Sequence, residues 1–180
     1  MKRSAKIVFG GMCAALITVL MMAAYFPYLT FAVPAVASII IMVCLIEFDE
    51  KWAFLCYLAS LLPVILLAEN ESKILYIAFF GYYPVLKALC ERINLAAVRW
   101  AVKLVVFNAV VVLTYFILSL VTNITIDYIG DFGRWTILVL LLAGNVVFVI
   151  YDFTLSALSV TYMNRLHNVV QKMMNRYTKK

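Results

Sequence analysis

Two asparagines (Asn108, Asn145), two adjacent tyrosines (Tyr82, Tyr83), a lysine (Lys87) and an aspartate (Asp152) lie inside otherwise apolar runs of this chain. Each can donate or accept hydrogen bonds, and Lys87 and Asp152 can carry opposite charges. None belongs to a recognisable catalytic set. The chain has no HExxH, GxSxG or GxxxxGK[ST] pattern and no paired carboxylates within an apolar run. No catalytic residue is assigned, and an enzyme is not expected. The one histidine, His167, stands in a basic tail, and Cys13, Cys44, Cys56 and Cys90 lie in apolar runs without CxxC spacing. Neither a metal site nor a cofactor is expected from them. The chemistry left to these side chains is hydrogen bonding and ion pairing in an apolar medium.

Composition identifies that medium. Of 180 residues, 67% are hydrophobic and 13% charged, with a mean hydropathy of +1.04, against about 45–50% and about 25% in ordinary soluble domains. Lipid is the expected solvent for most of the chain. Runs close to the roughly 20 residues that span a bilayer occupy 6–27, 31–47, 52–68, 73–91, 97–121 and 134–163, and 164–180 reads as a basic cytoplasmic tail. No strand-length alternation is present, so the expected fold is all-α: a polytopic membrane protein with a six-transmembrane-helix bundle. The first run, from Ile7 to Tyr28, exceeds the roughly 7–15 residues of a signal-peptide core and is read as a retained helix.

Lysine and arginine placement sets the expected orientation. With the N-terminus inside, 13 of the 15 cations, Lys51, Arg99 and Lys103 among them, face the cytoplasm, while Lys73 and Arg134 face outward. Both termini then lie in the cytoplasm of a cell-membrane protein. The net charge of +6 belongs to the inner leaflet, where it favours anionic lipid rather than nucleic acid.

At about 1.5 Å of rise per residue, the Gly81–Pro84 stretch, Asn108 and Asn145 share one layer, roughly 12–17 Å deep. Two uses of this layer are open. The polar groups could join helices, at about 0.6 kcal/mol per hydrogen bond, or they could floor a small-molecule cavity walled by Tyr25, Phe26, Tyr28, Phe31, Tyr76 and Tyr115. Pro84 also leaves the Phe80 carbonyl without its usual helical donor, which a neighbour must supply. Lys87 lies one turn past Pro84 and Asp152 two turns past Asn145. They either form an ion pair, or Lys87 alone reaches the headgroups. In the first run, Gly10 with Ala14 and Gly11 with Ala15 make two small-xxx-small pairs, open to another helix of this chain or of a partner. Asn123-Ile124-Thr125 matches a glycosylation acceptor on the outer side.

The opening "KIVFGGMCAALITVLMM", the aromatic and proline residues of "YFPYLTFAVPA", and "VPAVASIIIMVCLIEFDEKWAFLCYLAS" together resemble the first three helices of the substrate-binding (S) components of energy-coupling-factor transporters. The resemblance implies a subunit that captures a small molecule such as a vitamin near the outer face, with Tyr25, Tyr28, Tyr82, Tyr83, Asn108, Tyr115 and Asn145 at the site. It also implies that Gly10, Gly11, Ala14 and Ala15 dock a membrane coupling subunit driven by two cytoplasmic ATPases. The family's glycine-rich link between its second and third helices is replaced here by "IEFDEKW". The same plan is similar to the rod-shape-determining MreD proteins, which implies a non-transporting membrane scaffold of an envelope complex.

Overall fold

The computed structural model describes residues 3–26, 28–122, 135–167 and 170, and over these the protein is all-α. The helices are α1 (Arg3–Met22, extended by a 3-10 turn over Ala23–Tyr25), α2 (Ala32–Glu47), α3 (Glu50–Leu67), α4 (Asn70–Leu75), α5 (Tyr83–Glu91), α6 (Ala96–Thr122) and α7 (Trp135–Arg165). A π-helical turn over Tyr76–Phe80 joins α4 to α5, so Asn70–Glu91 runs as one segment and the described residues form six helical segments. Five are long and apolar enough to cross a membrane, and α2 is a shorter apolar helix. The Asn123–Thr125 triplet, Arg134 and most of the basic tail lie outside the described residues.

Local sequence explains where the segments begin and end. Phe26, which precedes Pro27, is extended at φ −77°, ψ 133°, as the proline ring demands of its predecessor. Pro34 falls in the first turn of α2, where its missing N–H breaks no helical bond. Glu69 starts α4 by accepting the backbone N–H groups of Ser72 (2.9 Å) and Glu71 (3.1 Å). These bonds hold its carboxyl below the usual range, the Ser72 bond most strongly.

The chain divides into two units, residues 1–89 with 155–180, and residues 90–154. In the first, α1, α2 and α3 pack on one another through Ile17, Met21, Ile41 and Val64, with the small residues Ala37 and Ala53 allowing close approach. The side chains on the other face of α1 (Met12, Leu16, Val19) are exposed. In the second, only 6% of the Ala96–Ile117 span is buried, and Val105, Leu113, Phe116, Leu142, Val146 and Phe153 stand exposed. Apolar exposure on this scale is what lipid, rather than water, accepts.

Candidate functional site

The four polar and aromatic positions of α6 that matter here follow the spacing i, i+3, i+7, i+8: Trp100, Lys103, Phe107 and Asn108. On α7 the same spacing carries Asn145, Phe148, Asp152 and Phe153. This spacing places each set along one side of its helix. The helices pair antiparallel, so the two sets meet in reverse order. Trp100 lies 5.7 Å from Phe153, ring to ring, and Phe107 stacks on Phe148 at 4.5 Å. Lys103 Nζ donates to both oxygens of Asp152, at 2.9 and 3.1 Å. Asn108 and Asn145 exchange amide bonds in both directions, each 3.0 Å. Gly144 lies beside the Phe107 ring, which an added Cβ would meet in ordinary contact at 3.7 Å.

The Asn108–Asn145 pair is closed on itself. Each Nδ2 gives its second proton to the carbonyl four residues back, Leu104 at 2.8 Å and Leu141 at 2.7 Å. Both amide donors of each residue are therefore engaged within the hairpin. Of the two uses open from sequence, this geometry performs the joining of helices.

Lys103, counted from sequence among the cytoplasmic cations, is buried: its side chain is 3% exposed and that of Asp152 5%. Its ammonium also lies 5.3 Å from the Trp100 ring and 3.9 Å from Glu91. The sequence offers Lys87 as the partner of Asp152. In the structure Lys103 spans both Asp152 oxygens, and Lys87 is itself buried and donates to Ser156 Oγ at 2.7 Å.

In the first unit, Gly81 and Pro84 have separate structural reasons. Gly81 N–H reaches back five residues to the Tyr76 carbonyl at 2.8 Å, widening the helix into a π turn. The Tyr57 ring lies directly on Gly81: a Cβ would meet ring carbon Cδ2 at 2.7 Å and the Tyr76 carbonyl oxygen at 2.9 Å. Tyr57 Oη donates to the Ile77 carbonyl within the turn at 3.0 Å. Pro84 then stands in the first turn of α5, where a proline is tolerated. Ser60 gives its proton to the Tyr57 carbonyl, so the fully buried Tyr76 hydroxyl is the donor in the 2.7 Å Tyr76–Ser60 bond. Tyr57 and Ser60 were not singled out from sequence, and Tyr76, offered there as a cavity-wall aromatic, is fully buried.

The remaining expected site residues fall in different surroundings. Tyr83 is buried and Tyr82 half-buried, its ring 6.4 Å from that of Tyr57. Tyr25 and Tyr28 are exposed, and Tyr28 adopts a left-handed φ of 73°. Tyr115 is half-buried beside Phe116, its ring 6.0 Å away. On α1, Ala14 faces the core with Cys13 and Ile17, whereas Gly11 and Ala15 are exposed. A Cβ added at Gly10 or Gly11 would meet nothing within 4 Å. Among the described residues no group of three or more metal-capable side chains gathers.

Comparison with models of protein families, with curated proteins and with solved structures returned no match to this chain. What the chain itself shows is a polytopic membrane protein of all-α fold, with a polar and aromatic ladder closing its α6–α7 hairpin.

Proposed function

We propose that this protein is the membrane-embedded capture subunit of a multi-component importer for a small molecule, in the manner of the transporter components it resembles. Both termini are cytoplasmic, and α1 docks a coupling subunit that links the chain to partner ATPases. The chain is not an enzyme and has no phosphate-binding motif of its own. The observation that carries this reading is the open space at Gly10 and Gly11, next to the exposed Ala15. Unlike Gly81, neither glycine has a neighbour among the described residues that an added Cβ would meet within 4 Å. A glycine that its own fold does not need, on an exposed helix face in lipid, lets another helix approach closely. Tyr25, Tyr28, Tyr82 and Tyr115 keep exposed or half-buried rings that a ligand could stack upon.

A second reading, a non-transporting membrane scaffold, draws on the closed Asn108–Asn145 pair, which offers no free amide proton to a ligand. One experiment separates the two. The protein is purified with its native membrane partners, and small molecules are extracted from it. The importer reading expects a retained small molecule, and a Gly11→Leu, Ala15→Leu variant that keeps it while losing a co-purifying membrane subunit. Partner retention by that variant, with no small molecule in either protein, would refute it and favour the scaffold.

A further inference from the structure

At the end of α2, Glu47 turns its carboxylate fully inward, with a side-chain exposure of 0%. One oxygen, Oε1, is crowded: Tyr162 Oη donates to it at 2.7 Å, and His167 Nδ1 lies 3.0 Å away. The other, Oε2, is buried and has no hydrogen-bond partner among the described residues. A carboxylate enclosed in this way, with one bare oxygen, is among the costliest groups a fold can hold in ionised form without a compensating charge. His167 is the only histidine of the chain and its side chain is 28% exposed. It therefore has one side on the enclosed carboxyl and another toward the surroundings.

We infer that Glu47 and His167 form a proton-binding site that fastens the end of α7 to α2. With one proton bound the pair is neutral, written either as carboxylate and imidazolium or as carboxylic acid and neutral imidazole. In both forms Tyr162 keeps its bond to Oε1. Loss of that proton to the surroundings through the partly exposed imidazole leaves one negative charge on an enclosed carboxylate. The contact is then no longer favourable, so the fastening closes when protonated and opens as pH rises.

Among the described residues, Oε2 has no hydrogen-bond partner that would supply a substitute charge. From α1, Lys6 is engaged by Asp49 at 3.2 Å with its ammonium near the Phe48 and Trp52 rings. From the first turn of α3, Lys51 is exposed and Glu50 is acidic.

The test is backbone amide exchange over Tyr162–His167 in the full-length protein in lipid nanodiscs, corrected for the intrinsic rate, as pH is raised. A closed form holding one proton that the open form has lost predicts exchange rising about tenfold per pH unit. Glu47→Gln, which keeps an acceptor and carries no charge, flattens the dependence while Tyr162 retains its partner. Wild-type exchange that is flat with pH, or a rise that persists unchanged in Glu47→Gln, overturns the inference. If Glu47→Gln does not fold, infrared spectra of the wild type decide instead. A deuterium-sensitive carboxylic-acid band that disappears together with the protection supports the site, and a loss of protection without any histidine or carboxyl change refutes it.

Discussion

The Lys103–Asp152 pair allows the sharpest prediction about stability. The ammonium lies 2.9 and 3.1 Å from the two carboxylate oxygens, and both side chains are almost wholly enclosed. At a separation near 3 Å and an effective dielectric near 20, the gross attraction is about 5–6 kcal/mol, offset in large part by the cost of removing both ions from water. Removing one partner therefore costs far more than removing both. Lys103→Met withdraws both bonds from Asp152 and is expected to cost about 3–5 kcal/mol. Asp152→Leu leaves Lys103 with the Trp100 ring and with Glu91 at 3.9 Å, so its loss falls at the lower end of that range. The double variant, which places two apolar side chains in the same space, is expected within about 1–2 kcal/mol of wild type. The assay is a double-mutant cycle of unfolding free energies in detergent or bicelles, with a coupling of at least about 2 kcal/mol expected. Losses that simply add would show that the two charges do not depend on one another, and the ladder would lose its central rung.

Three further outcomes follow from the geometry. Gly81→Ala drives a methyl into the Tyr57 ring and the Tyr76 carbonyl and is expected to cost about 1–3 kcal/mol, partly recovered by Tyr57→Leu, in thermal unfolding. If Gly81→Ala has no effect, the ring does not rest there. Asn108→Leu or Asn145→Leu strands one amide of the reciprocal pair, costing about 1–2 kcal/mol, whereas the double Leu variant recovers much of the loss; equal and additive penalties would contradict the pairing. Glu69 has its acidity raised by the Ser72 and Glu71 amides, so its cap is complete above the unfolded carboxylate range and is lost as pH falls through its lower folded value. Amide protection at Glu71 and Ser72 is expected to decline on acidification in the wild type and to be pH-independent in Glu69→Ala.

The helical architecture was legible because lipid imposes it: long apolar runs interrupted by "EFDEK" or "AENESK" leave few alternatives. The ladder was legible only in part. Asn108 and Asn145 stood out as costly in lipid, but Lys103, inside the 97–121 run, was only counted among the cytoplasmic cations, because counting basic residues by side of the membrane assigns each to an end without asking which helix face it occupies. The information was present in mirrored form. Trp100, Lys103, Phe107 and Asn108 read forward match Phe153, Asp152, Phe148 and Asn145 read backward, aromatic to aromatic, charge to counter-charge, amide to amide. Glu47 was hidden for a different reason. Its partners lie 115 and 120 residues away, and within "EFDEK" it is indistinguishable from a solvated turn acid.

The central claim is that lipid is the solvent of the outward faces while the polar groups of α6 and α7 face each other. Spin labels placed singly at Val105, Leu113 and Phe116, and at Leu142 and Val146, test it directly in reconstituted bilayers. All five positions are exposed, whereas the four native thiols are buried and leave the labelling to the introduced sites. The account predicts high accessibility to dissolved oxygen and low accessibility to a water-soluble nickel complex at every one of them. Strong nickel accessibility along either helix would place that face in water and contradict the account.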